Sequence, residues 1–115
     1  MGDINCFKSY NDTLGHNAGD SVLVKVAGVL DKHMGRSGIV CRYGGDEFVV
    51  LLSNHSEEAV IGQIRSVQDE LMKEEIEMAF GYVFVSDPKQ DLGLMIRQAD
   101  VNMYVNKERM KHKNQ

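Results

Sequence analysis

The sequence is 115 residues long, 43% hydrophobic and formally charged at −4, which suffices for one packed core and one domain. That charge balance excludes a whole-surface attraction to nucleic acid or anionic lipid, because counterion release needs clustered Lys and Arg. Cys6 and Cys41 stand far apart and form neither a disulfide framework nor a zinc ribbon, and no apolar run approaches the roughly 20 residues of a membrane span. With an N-terminus that also lacks the charged and apolar regions of a signal peptide, the expectation is a soluble, cytoplasmic domain without membrane contact.

The chain opens on a segment rich in Asn, Asp and Gly over residues 1–19. Val22, Leu23, Val26, Val29 and Leu30 then recur at helical spacing, with Asn17 as a candidate cap, Asp20 in the first turn and Gly35 as a stop. Two β-rich runs, 39–43 and 46–52, flank Gly44-Gly45, which predicts a tight two-residue turn with positive φ at both glycines. Ser56, Glu57 and Glu58 open a second helix whose apolar face is Val60, Ile64, Val67 and Leu71. Residues 76–85 are aromatic and β-branched and read as one long buried strand, broken at Asp87-Pro88. The last helix carries Leu92, Met95, Ala99 and Met103, and the same step brings Lys107 and Lys111 onto roughly one face, before a polar tail at 112–115. This order predicts an α+β fold, a central antiparallel sheet flanked by helices and short of a strand.

Two places carry candidate chemistry. Asp46 and Glu47 follow the bare tip Gly44-Gly45, where a bulky ligand could approach the backbone and adjacent carboxylates supply hard oxygens suited to Mg²⁺. On its own this pattern reads more simply as an exposed hairpin with solvated acids. The second place is 3–20, in which Asn11, Asp12, Asn17 and Asp20 taken singly are ordinary turn, cap and helix residues.

Taken together, DINCFKSYNDTLGHNAGD (3–20), RYGGDEFVVLL (42–52) and ADVNMYVNK (99–107) resemble the GGDEF domain of diguanylate cyclases in order and spacing, over almost the whole chain. The resemblance implies a nucleotidyl cyclase palm-like fold over residues 1–115 and the Mg²⁺-dependent (or Mn²⁺-dependent) condensation of two GTP into cyclic di-GMP, a bacterial second messenger. It assigns the metal to Asp3, the Ile4 carbonyl, Asp46 and Glu47, with Asp46 and Glu47 also catalytic and Lys8 stabilising phosphate charge. It assigns guanine to Asn11 and Asp20 with His16 nearby, the triphosphate to Lys107, Lys111 and the backbone around Phe7, and close approach to Gly44 and Gly45. A homodimer is implied, since each copy would present one GTP to the other, and so is an upstream sensor domain in a longer protein.

The match departs from the family in three places. Only Met1 and Gly2 precede Asp3, where the family has a helix and most of a strand. The RxxD that many cyclases use for product inhibition is absent, its positions being Gly35 and Gly38, which weakens a reading as a cyclic di-GMP receptor. Asn5 replaces a common aspartate. The alternative to an enzyme is an inactive module that binds GTP and regulates a partner domain.

Overall fold

The structure, a computed structural model, describes residues 1–53, 55–87 and 89–113. Among them the elements run β1 (Gly2–Ile4), α1 (Phe7–Leu14), α2 (His16–Met34), β2 (Gly38–Arg42), β3 (Glu47–Leu52), α3 (Glu57–Met72), β4 (Met78–Phe80) and α4 (Leu92–Lys113). The four strands form one antiparallel sheet in the order β2-β3-β1-β4. The expected α+β architecture is therefore present, and the central strand is three residues long.

Strand alternation sets the layers. Gly2 and Ile4 of β1, with Phe48 of β3 and Met78 and Phe80 of β4, share the face that packs under Val22, Val26, Val29 and Leu30 of α2 and Val67 and Leu71 of α3. Asp3 and Ala79, one residue out of phase, face α4 instead. Helix α3 starts as its sequence requires, the Ser56 hydroxyl accepting the Ala59 N–H at 3.1 Å, with Glu57 and Glu58 in the first turn.

Five expectations are corrected. Helix α2 begins at His16 behind Gly15, whose φ of 90° favours glycine, so Asn17 lies inside the helix rather than capping it and Asp20 falls beyond the first turn. A separate helix, α1, occupies part of the segment read as irregular; Phe7, Tyr10 and Leu14 recur at helical spacing within it, but the stretch is only eight residues long, mostly polar, and no residue of it is fully buried. The hairpin is not a primed two-residue turn: neither Gly44 nor Gly45 has a positive φ, and the Tyr43 and Gly44 amides both donate to the Glu47 carbonyl, leaving residues 44–46 as the loop.

The long strand over 76–85 shrinks to Met78–Phe80 because the ladder with β1 ends at Met1, which exchanges two hydrogen bonds with Gly81. Gly81 itself lies against the backbone of α4 at Met103 and Ala99, where a β-carbon would collide. The outer edge of β4 is closed by side chains rather than by a fifth strand: Gln68 donates to the Met78 carbonyl, Asn106 accepts from the Phe80 N–H and Asn102 donates to the Tyr82 carbonyl. His112, expected in the tail, lies in α4, while the expected break at Pro88 and the last two residues of the tail lie outside the described residues.

Candidate functional site

The out-of-phase position of Asp3 creates the site. Its side chain is held under α4 at 8% exposure, a costly place for a carboxylate without partners. Lys107 of α4 donates to Oδ2 at 2.9 Å, while Oδ1 is buried with no hydrogen bond. Across the ladder Asp3 faces Glu47, and the Ile4 N–H donates to the Asp46 carbonyl at 3.1 Å, fastening the end of the hairpin loop to the central strand. Arg42 holds the other side of the loop, its Nε and Nη2 donating to the Gly44 and Gly45 carbonyls at 3.1 and 2.9 Å.

The carboxylates are therefore brought together by the backbone whether or not their charges favour it. Burial pushes the Asp3 carboxyl above the ordinary carboxylate range; the Lys107 hydrogen bond opposes this and the adjacent Asp46 adds to it. Burial also raises Glu47, with Asp3, Asp100 and Asp46 contributing in the same direction and Lys107 against. Like charges pressed together with one buried oxygen left over fit a hard cation. Among the described residues no three His, Cys, Asp or Glu side chains form a closed metal cage. A cation at Asp3 and Asp46 would draw its remaining oxygens from the Ile4 carbonyl, water and a phosphate ligand, as Mg²⁺ commonly does.

Beyond Ile4 the chain turns sharply into α1. Asn5 ties this turn to the strand edge, its N–H donating to the Glu77 carbonyl and its Nδ2 to Glu77 Oε1 at 3.0 Å, and Cys6 takes a left-handed conformation with φ 59°. Lys8, His16 and Asp20 are exposed and make no side-chain hydrogen bond or ion pair among the described residues. Asn11 lies against the backbone of Gly19, where a β-carbon would strike its amide, and its Oδ1 is buried without a partner. Phe7 packs on the hydrophobic core. The Lys111 side chain is 65% exposed and pairs with Glu108 at 3.6 Å.

So Asp3, Ile4, Asp46, Glu47 and Lys107 form one cluster, while Asn11, His16 and Asp20 sit on α1 and the start of α2. A β-carbon on Gly45 would meet nothing, so neither conformation nor packing demands glycine there. Arg42 and Asp100 were not singled out from the sequence as site residues, although both lie inside the quoted motifs; their contribution depends on contacts that spacing does not reveal. Asn5, noted in the sequence only as the replacement of an aspartate, is a fixed point of the turn.

The family model described as diguanylate cyclase, GGDEF domain, matches residues 1–113. The chain belongs to the GGDEF domain family. Among curated relatives, this GGDEF domain is 32% identical over 118 residues to the diguanylate cyclase DosC of Escherichia coli, covering 93% of the chain and 25% of the relative. It thus spans about a quarter of that relative's length. Among solved structures, the GGDEF domain of DgcB from Caulobacter crescentus in complex with c-di-GMP is 25% identical with a TM-score of 0.83, over 93% of this chain and 69% of that one. The active GGEEF domain of a diguanylate cyclase from Vibrio cholerae is 26% identical with a TM-score of 0.82, over 94% and 74%. The fold is accordingly the palm-like one of nucleotidyl cyclases. No helix among the described residues is long and apolar enough to cross a membrane.

Proposed function

We propose that this domain binds GTP together with Mg²⁺ (or Mn²⁺) and, paired with a second copy, condenses two GTP into cyclic di-GMP with release of pyrophosphate. The observation that carries the reading is the buried Asp3 carboxylate, with one oxygen unpartnered, set beside Asp46 and Glu47 and opposite Lys107. Asp3, Asp46, Glu47 and the Ile4 carbonyl hold the metal, which when bound supplies charge stabilisation to the reacting oxygens.

The chain's own groups do the rest. Asn11, with its buried and unpartnered Oδ1, and Asp20 meet the guanine edge, with His16 beside them, and leaving Asn11 unpaired by adenine gives the preference for GTP. Lys8 and the backbone amides around Phe7 at the start of α1 neutralise phosphate charge, and Lys107 and Lys111 hold the triphosphate from α4. Gly44 and Gly45 leave room for the second nucleotide. Asp46 accepts the ribose 3′-hydroxyl proton as the bond from that oxygen to the α-phosphorus of the other GTP forms and the bond to pyrophosphate breaks. The reaction requires two facing copies, which concentrate the reactants. The reading includes a place in a longer cytoplasmic protein with a sensing domain upstream; the observation in favour of a longer protein is that the match makes up about a quarter of DosC.

The test is incubation of the purified chain with GTP and Mg²⁺, followed by mass spectrometry for cyclic di-GMP, with Asp46→Ala as control. Product from the parent and none from the variant is expected. Saturable Mg²⁺-dependent GTP binding without product would overturn the enzyme reading and leave a GTP-binding regulatory module.

A further inference from the structure

Glycine inside a helix is less favourable than alanine, because it has more freedom to lose on folding and no side chain to pack. Helix α2 carries two glycines, Gly19 and Gly28, in contrasting surroundings. Gly28 is exposed, and a β-carbon there would meet nothing. Gly19 is buried, and the three atoms nearest to a β-carbon on it all belong to the Asn11 side chain: Oδ1, in direct collision, Cγ at 2.7 Å and Nδ2 at 3.2 Å. The space that a side chain at position 19 would fill is therefore taken by the amide of a residue on the neighbouring helix.

The backbone holds the two helices at this distance. The Gly15 N–H donates to the Asn11 carbonyl at 2.8 Å, and the Gly19 N–H donates to the Gly15 carbonyl at 3.2 Å, so Asn11, Gly15 and Gly19 are bonded in series around the corner between α1 and α2. Separating the helices to admit a β-carbon would strain both bonds, whereas swinging one terminal amide to another rotamer strains neither. A side chain at position 19 thus expels the Asn11 amide and leaves the helices in place. In the parent, Asn11 Oδ1 sits buried in this crevice without a partner.

We infer that Gly19 is a specificity-determining positioning residue, whose missing side chain seats the Asn11 amide in the orientation from which it reads guanine. This rests on the nucleotide reading proposed above and names what fixes its base preference. Guanine offers N–H donors at N1 and N2 to an amide oxygen, while adenine has a bare ring nitrogen and a C–H at the corresponding positions. An amide held in place discriminates between the two bases, and one swung aside does not. Asp20 remains in either case, so the loss of preference is partial.

The test compares the parent chain with Gly19→Ala, Asn11→Ala, the double variant and Gly28→Ala. Calorimetric titration with GTP and with ATP, both with Mg²⁺, reads the preference, and the Asn11 side-chain amide signals in the NMR spectrum without nucleotide read the seat. Gly19→Ala should move those signals, weaken GTP binding about tenfold and leave ATP binding nearly unchanged. In the Asn11→Ala background the same change should add nothing, because the β-carbon then has room; should Gly19→Ala not fold alone, that background carries the test. Gly28→Ala should melt no lower than the parent and bind both nucleotides as the parent does. Unmoved Asn11 signals, equal losses for GTP and ATP, or a further weakening of GTP binding in the double variant would each overturn the inference and leave the nucleotide reading standing. An Asn11→Ala chain that keeps the parent's preference for GTP would overturn that reading and the inference with it.

Discussion

Under α2 and α3 the sheet presents apolar side chains, and Val26, Leu30, Val67, Leu71 and Met78 are almost completely shielded from water. Under α4, the same three-residue strand presents Asp3, whose burial is offset by one lysine and left incomplete at the other oxygen. Of the buried side-chain atoms without a partner among the described residues, Asp3 Oδ1, Asn5 Oδ1 and Asn11 Oδ1 lie along β1 and α1, and only Gln63 Oε1 lies elsewhere. One region is arranged for stability, and the other holds groups that a ligand would satisfy.

Substituting one residue in each region separates the two roles. Leu71→Ala, in the shielded core, should cost about 3 kcal/mol in denaturant unfolding, as cavity-forming substitutions do. Asp46→Asn should cost no stability, or add up to about 1 kcal/mol by relieving Asp3, while abolishing Mg²⁺-dependent GTP binding. A comparable loss of stability from Asp46→Asn would mean that the carboxylates serve the fold.

A smaller effect is expected at Asn11. Replacement by alanine should weaken GTP binding about tenfold in calorimetric titration and leave ATP binding nearly unchanged; equal losses would remove Asn11 from guanine recognition. Smaller still is the effect of Lys107→Met, which frees Asp3 from its counter-ion. Binding of Mg²⁺ alone should tighten severalfold, while GTP binding weakens severalfold. Weakening of both would assign Lys107 a structural role.

The core region was the more legible. Helix α3 could be read almost residue by residue, because its cap, first-turn acids and apolar stripe are all local signals, and α2 was placed by its valines and leucines. What escaped was set by distance or brevity. β1 is too short to show an alternation, α1 is a short and mostly polar helix whose Phe7, Tyr10 and Leu14 make only a brief stripe, and the end of β4 depends on Met1 across the sheet and on the close approach of Gly81 to α4. At the site, Asp3, Asp46, Glu47 and Lys107 were named from motif resemblance, and the structure brings them into one cluster. The parts that spacing does not display are the grip of Arg42 on the loop, the tether from Asn5 to Glu77 and the pairing of Lys111 with Glu108. Gly44 and Gly45 were read as a tight turn with positive φ at both, and neither has one; a β-carbon on Gly45 would meet nothing, whereas one on Gly44 would crowd the Glu47 carboxylate.

On the proposed reading, the carboxylates at β1 and the hairpin hold a cation that in turn holds the triphosphate. Calorimetric titration of the chain with GTP, with and without Mg²⁺, on the parent and on Asp46→Ala tests it most directly. Saturable binding that requires both Mg²⁺ and Asp46 is predicted, and GTP binding of equal strength without the metal or without that carboxylate would contradict it.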